Sequence, residues 1–262
     1  MKKVVLALTA IAALSGSAVA ADLPARTYSK APVAMPMAPS WTGFYIFGGG
    51  GGGLWTADNS TVPTGPGGLL SGTQRVGGSG WFGTVGAGYD WQFNSSWVAG
   101  ILADGQFGSI KGSINDTLYN FSGTEKLTTS YAAGVRLGYL VAPNVLSYVN
   151  GGYSGSQWSG STLSSLSVAS PVAITTGSFT RNGFFIGGGV ENNLDIFGIN
   201  IPGLFMKTEY RAAYYGTATL PEAFPAGTAI NQAITFKAWD ETISTSLVYR
   251  FNWSGAPVSA RY

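Results

Sequence analysis

The chain has 262 residues, with 14 Lys and Arg, 12 Asp and Glu, and neither Cys nor His. The missing Cys excludes a disulfide framework and thiol chemistry, and the missing His removes the base of Ser-His and Asp-His hydrolases. Two of the basic residues, Lys2 and Lys3, sit in an apparent leader, so the rest balances 12 basic against 12 acidic residues and offers nucleic acid no basic surplus.

Residues 1–20 read as a secretory signal. Lys2 and Lys3 open it, Val4 to Leu14 form an apolar run short of a bilayer span, and Ala18 and Ala20 supply a small-x-small cleavage site. The mature chain is expected to begin at Ala21, and with no Cys after the apolar run no lipoprotein anchor is expected. Residues 21–40 carry Pro24, Pro32, Pro36 and Pro39 without apolar periodicity, which predicts an extended periplasmic linker.

From Trp41 onward eight segments alternate apolar and polar residues, near 41–55, 79–93, 97–109, 127–141, 145–158, 178–193, 204–216 and 236–251. Short connections run through Asn94–Ser96, Ala142–Asn144 and about ten residues around 195–203; long ones cover 56–78, 110–126, 159–177 and 217–235. This predicts an all-β fold, a transmembrane eight-stranded antiparallel up-and-down β-barrel over 41–253, with tight turns inside, long loops outside and a short tail at 254–262. No other segment is apolar for about 18 residues, so membrane-spanning helices are not expected. A soluble β-sandwich could share this composition. A barrel accounts for it better, because every second residue carries the apolar face.

Four strands set the phase. In the second, Trp81, Val85, Ala87, Tyr89, Trp91 and Phe93 would face lipid, and Thr84, Gly86, Gly88, Asp90 and Gln92 the lumen. In the fourth, Tyr131, Val135, Leu137 and Tyr139 face out around Arg136; in the seventh, Met206, Thr208 and Tyr210 face out, leaving Lys207, Glu209 and Arg211 inside. In the eighth, Ile243, Thr245, Leu247, Tyr249 and Phe251 face out against Asp240, Ser246 and Arg250. A one-residue slip would place charge in lipid, at about 2–4 kcal/mol per Arg or Lys near the midplane. The tryptophans are expected at the two membrane interfaces: Trp41, Trp91, Trp97 and Trp253 at one, Trp55, Trp81, Trp158 and Trp239 at the other. The run Gly48 to Gly53 fits a sharply curved, crowded wall; no helix or Gly-Lys-Ser/Thr follows to make a phosphate loop.

Several stretches resemble the small porin-like outer-membrane proteins and surface antigens of alphaproteobacteria, which belong with the OmpA-type eight-stranded barrels. They are Ala21-Asp22-Leu23-Pro24, Trp41-Thr42-Gly43-Phe44-Tyr45, Gly187-Gly188-Gly189-Val190-Glu191, Lys207-Thr208-Glu209-Tyr210-Arg211 and Tyr249-Arg250-Phe251-Asn252-Trp253. The resemblance runs from the signal to the last strand. It implies an outer-membrane location, a structural or antigenic role and, in some members, pore or haemin-binding activity. The chain departs from many such barrels by running past Phe251 to Tyr262. Ile243, Leu247, Tyr249 and Phe251 are then expected to be the signal read by the barrel-assembly machinery.

The inward charges expected are Asp90, Asp104, Arg136, Arg181, Glu191, Lys207, Glu209, Arg211, Asp240 and Arg250, five of each sign. Charges in a narrow interior must be paired. They are expected to form a salt-bridged plug rather than a charge-lined pore, and replacing Arg136, Lys207 or Arg211 is expected to raise leak and lower stability. Glu191 and Glu209 could do acid–base work, but among arginines and lysines a structural role is favoured. No catalytic residue, metal site or cofactor is expected. Asp58, Asp116 and Glu125 could hold calcium weakly or bridge through cations to lipopolysaccharide, against the plainer reading of solvated loop charges. Haemin would lack its commonest ligand. The loops, with Tyr119, Phe121 and Phe224, suit adhesion, immune recognition or a simple hydrophilic cap. The expected partners are outer-membrane lipid, lipopolysaccharide and the assembly machinery, with no nucleic acid, for a monomer. Three functions follow: a structural surface protein, a narrow solute pore, or a loop-borne receptor for haemin or a host partner.

Overall fold

The computed structural model describes residues 40–165, 172–199 and 201–251. The expected signal, the linker through residue 39, Trp253 and the C-terminal tail lie outside the described residues. The described chain is built from antiparallel strands β1 (Gly43–Pro63), β2 (Gln74–Gln92), β3 (Trp97–Asp116), β4 (Phe121–Ala142), β5 (Val145–Trp158), β6 (Ser161–Ser165), β7 (Ala173–Thr176), β8 (Phe179–Asn193), β9 (Leu204–Tyr215), β10 (Ala218–Ala223) and β11 (Ala229–Arg250).

Two closed circuits of eight strands are stacked on one another. The lower runs β1-β2-β3-β4-β5-β8-β9-β11 and closes where β11 pairs with β1, from Tyr45 opposite Arg250 to Pro63 opposite Gln232. In the upper circuit β6, β7 and β10 stand where β5, β8 and β9 stood, giving β1-β2-β3-β4-β6-β7-β10-β11. Five strands are thus common to both tiers, and three are interrupted at 159–160, 177–178 and 216–217.

The short connections lie at the end where Trp41 enters and Phe251 leaves. In one, the Asn94 side-chain oxygen accepts from the amides of Ser96 (2.8 Å) and Trp97 (2.7 Å) and holds the turn. Another is a 3-10 turn, Leu194–Phe197, closed by Gly198 at φ 77°. Tight turns and both ends of the barrel on one side mark that side as periplasmic. From Trp91 to Trp81 on β2 is ten residues. At about 3.3 Å rise and 40° tilt this spans about 25 Å, the height of an outer-membrane apolar band. Outside it, Phe44, Val85, Ile101, Val135, Val149, Ile186 and Leu247 stand exposed to lipid.

The long connections are shorter than the sequence suggested. Residues 56–63, 74–78, 110–116 and 121–126 continue the strands, and 229–235 extend β11 downward into the wall. The reason is an inversion of polarity. Along β11 the inward side chains run Arg250, Ser246, Thr242, Asp240 and then Ala238, Phe236, Ile234, while Lys237 faces out. Strand phase persists, but above the lipid the wall becomes polar outside and apolar inside.

Within the glycine run, the inward positions are crowded. A Cβ on Gly51 would lie 2.8 Å from Ser244 Cα and 2.9 Å from Phe82 Cζ, and one on Gly53 would lie 2.9 Å from Ile110 Cδ1. Outward, a Cβ on Gly52 would meet the Trp81 ring at 3.6 Å, an ordinary contact.

Candidate functional site

Among the described residues, the lumen is where the strands converge their polar chemistry in quantity, and it is filled in layers. At the periplasmic mouth Trp41, Tyr45, Phe47, Val98, Leu146, Tyr148, Phe205 and Val248 pack together. Trp41 is 1% exposed; its Nε1 donates to the Pro143 carbonyl (3.3 Å), its amide to Gln92 Oε1 (2.9 Å), and its ring lies 5.1 Å from Phe205.

Above it sits a four-membered charge ring drawn from β2, β4, β8 and β11. Arg136 donates Nε to Asp90 Oδ1 (2.8 Å), Nη2 to Asp90 Oδ2 and Nη1 to Glu191 Oε2 (3.0 Å). Arg250 donates Nε to Glu191 Oε1 (2.7 Å), Nη2 to Asp90 Oδ2 (2.8 Å) and Nη1 to the Trp41 carbonyl (3.2 Å). The Arg136 guanidinium also lies 4.4 Å from the Tyr45 ring centre, and that of Arg250 4.3 Å from Trp41. Planar guanidinium groups suit this site because each serves two carboxylates and stacks on an aromatic face.

A second cluster follows. Arg211 makes a bidentate pair with Asp104 (2.9 and 2.8 Å) and a further pair with Glu209 Oε1 (2.7 Å). Lys207 Nζ stands 3.7 Å from Glu209 Oε2, to which Tyr148 donates its hydroxyl at 2.8 Å. The two clusters together hold four carboxylates and four cations, so the buried assembly is neutral.

The upper lumen is filled mainly by apolar side chains, with a few buried polar groups among them. Trp55 and Trp158, 0% and 2% exposed, meet edge to face at 5.3 Å and both contact Phe236, at 5.4 and 5.1 Å. The Trp55 Nε1 donates to the Ile110 carbonyl (3.1 Å) and the Trp158 Nε1 to Ser156 Oγ (2.9 Å), so both of these buried indole N–H groups are paired. Val76, Ile110, Ile114, Leu127, Leu163, Ile174, Leu220 and Ile234 complete this core.

Eight of the ten expected lumen charges are therefore joined by ion pairs. Two are not. Arg181 is half-buried at the outer end of β8, with its guanidinium 5.9 Å from the Phe179 ring centre; its Nη1 donates to the Thr180 carbonyl (3.0 Å). Asp240 is buried at the junction of the tiers with no ion-pair partner among the described residues, and its Oδ1 makes no hydrogen bond.

The tryptophan expectation needs a larger correction. Trp81, Trp91 and Trp97 face outward, Trp81 at 80% exposure, and Trp239 is half-exposed on the outer wall. Trp41, Trp55 and Trp158 lie inside the lumen instead. Parity carried the signal: Trp41 and Trp55 share the phase of inward Tyr45 and Phe47, and Trp158 that of Tyr148 and Ser154. Tyr45 and Tyr148, which the sequence reading does not place, share those inward phases and line the lumen. Ile243, Leu247, Tyr249 and Phe251 all stand exposed on the lipid side.

Of the three acidic residues expected in loops, Asp58 is a solvated charge on the outer wall, whereas Asp116 and Glu125 are not solvated. Asp58 pairs with Arg75 on the outer wall (3.2 Å), and Asp116 and Glu125 are fully buried inside the upper tier. Asp116 accepts from Thr61 Oγ1 (2.6 Å); Glu125 accepts from Ser161 Oγ (2.7 Å), and Glu222 from Gln232 Nε2 (2.6 Å). Burial pushes the carboxyls of Glu125 and Glu222 up to about 7, with the nearby Asp116 adding to the effect on Glu222. No set of three or more metal-ligating side chains is gathered among the described residues.

A closed eight-stranded barrel with a lipid-facing apolar band and a filled polar lumen defines an outer-membrane β-barrel protein. No family model matches the chain. Two curated relatives do: the 31 kDa outer-membrane immunogenic proteins of Brucella melitensis and Brucella suis are each 30% identical over 258 residues, covering 96% of this chain and all of theirs. The chain belongs to their family and, like them, is an outer-membrane protein of the porin-like surface-antigen type. Among solved structures, it is similar to Neisserial surface protein A (15% identity, 80% of this chain and 98% of that one, TM-score 0.38). It is also similar to OprG of Pseudomonas aeruginosa (12%, 80% and 97%, TM-score 0.46).

Proposed function

We propose that the protein is a structural, surface-exposed component of the outer membrane that supports envelope integrity, with a lumen closed at rest and no catalytic activity. One observation carries this reading: a neutral network of four cations and four carboxylates fills the barrel between two aromatic layers. Opening a continuous path would expose paired charges and displace Trp41 at one end and Trp55 with Trp158 at the other. Glu191 and Glu209, the carboxylates nearest to an acid–base pair, are both held by cations, and no imidazole exists to replace them.

Planar-bilayer recording tests the proposal. The closed reading expects almost no conductance at moderate voltage. Steady, large unitary steps would overturn it in favour of a solute pore. Binding of haemin at micromolar concentration, abolished by cutting back the turns at 64–73 and 117–120, would instead favour a receptor role.

A further inference from the structure

The outward-facing cations are confined to one end of the barrel. Among the described residues, Arg75, Lys111, Lys126 and Lys237 face out, and all four stand in the upper tier. Two of them have acidic or aromatic company. Arg75 pairs with Asp58, and Lys237 Nζ lies 5.6 Å from the Tyr214 ring centre. The other two have each other. Lys111 on β3 and Lys126 on β4 are direct cross-strand partners on the outer face.

Like charges directly opposite one another destabilise a sheet, and directly opposed Cβ atoms stand about 5 Å apart. Nothing in the wall relieves this pair. Every carboxylate described on β2, β3 and β4 (Asp90, Asp104, Asp116 and Glu125) is buried inside. The surrounding outward side chains are hydroxyls: Ser79 opposite Lys111, and Ser113 opposite Thr124 in the next outward row. Two ammonium groups ringed by hydroxyls form a receptor for a tetrahedral oxyanion.

Height identifies which oxyanion. Trp81 is opposite Ser109, two residues below Lys111, and it is the most exposed tryptophan of the barrel wall. An exposed indole marks the outer edge of the hydrocarbon. Two residues of a tilted strand place the lysines about 5 Å above it, at headgroup depth.

We infer that Lys111 and Lys126 together clamp a phosphate of a phosphorylated glycolipid in the outer leaflet, just above the hydrocarbon edge that Trp81 marks. That depth favours a lipid over a soluble sulfated or phosphorylated polymer, which would gain nothing from cations held at the level of the headgroups. The inference rests on the outer-membrane location and not on a closed lumen, so the two fail separately.

The test is a binding titration of the full chain in detergent micelles with bis-phosphorylated lipid A, read by native mass spectrometry. Replacing both lysines (K111Q/K126Q) is expected to weaken binding about 30-fold, from two surface cations each contributing roughly a factor of five. The conservative K111R/K126R should retain it, and R75Q/K237Q, which removes equal charge elsewhere on the same tier, should change it less than about threefold. Fully dephosphorylated lipid A should bind wild type and K111Q/K126Q alike. Equal losses in the two Gln doubles would reduce the effect to general surface charge and overturn the inference, as would unchanged binding in K111Q/K126Q. Competition by millimolar inorganic phosphate or by a sulfated polysaccharide as strong as that by lipid A would also overturn it. Heat-modifiable migration of each variant verifies that the barrel is folded before titration.

Discussion

Replacing Arg136 with Met is the sharpest test of the lumen network. The guanidinium is buried and serves Asp90 through two bonds, that from Nε at 2.8 Å, and Glu191 through one at 3.0 Å. Removing it leaves Asp90 and Glu191 with Arg250 alone, a net charge of −1 in a site closed to water. Each lost pair carries about 4–6 kcal/mol of Coulomb attraction at an effective dielectric near 20. Much of that is offset, because Met needs no desolvation. Breaking a buried pair from one side usually leaves a deficit of about 3–5 kcal/mol, which is the expected loss. Asp90→Asn should lose a similar amount with the opposite sign of residual charge. The double variant R136M/D90N restores neutrality and keeps the Arg250–Glu191 pair at 2.7 Å. It should therefore be less destabilised than the sum of the singles by at least about 2 kcal/mol. Urea unfolding in lipid vesicles, followed by tryptophan fluorescence, measures all three. Additive losses within about 0.5 kcal/mol would refute an interdependent charge ring.

Other consequences can be checked in the same assay. Gly51→Ala should destabilise the barrel measurably, because its Cβ would stand 2.8 Å from Ser244 Cα. Gly52→Ala, beside it but facing lipid, should be nearly silent; equal effects at the two sites would refute the crowded-wall account. Trp55→Ala should cost about 3–5 kcal/mol as a core truncation, while Trp81→Ala, exposed to lipid, should cost far less. Glu125 and Glu222 titrate near 7 in the folded chain against 4.5 for the free group, so the folded state holds their protons longer. Their stabilising contribution is full below about pH 4.5 and is lost as pH rises through about 7. Resistance of the upper tier to protease should fall between pH 5 and 8, and E125Q/E222Q should flatten that slope. An unchanged slope in the Gln double variant would assign it elsewhere.

The lower barrel was legible in the sequence because lipid enforces one rule on every strand. Val135, Leu137 and Tyr139 alternate with Arg136 and Gly138, and the opposite phase would put Arg136 into hydrocarbon. The same rule hid the upper tier. The strands expected from alternation stop near 55, 109, 127 and 236, which is where inward residues turn from polar to apolar. Beyond Asp240, inward Ala238 and Phe236 beside outward Lys237 read as the end of a membrane strand rather than its continuation. The charge network was recoverable as a set, since every buried cation needs an anion. Its exceptions were not, because Arg181 and Asp240 occupy the junction where the filling changes character. Trp41, Trp55 and Trp158 were misplaced by residue type. An indole suits an interface, and it equally suits a lumen wide enough for one ring that offers its N–H an acceptor.

That double use of the aromatic residues changes what the charges can gate. Each tier solves the solvent problem of its own surroundings. Where lipid bathes the wall, apolar residues are spent outside and the lumen is packed with paired charge. Above the hydrocarbon, the lumen takes a mainly apolar core and the wall takes Lys111, Lys126 and Lys237. The path along the axis therefore crosses an aromatic layer at Trp41, two charge clusters, and a second aromatic layer at Trp55, Trp158 and Phe236. Loosening a charge cluster opens only the middle of that path. The sequence alone suggested that replacing Arg136, Lys207 or Arg211 would raise leak. With the aromatic layers in view, such variants should lose stability and stay electrically silent. Conductance should appear only when a charge substitution is combined with truncation of Trp55 or Trp158. A single Arg136 or Arg211 replacement that conducts by itself would mean that the upper core is not a seal.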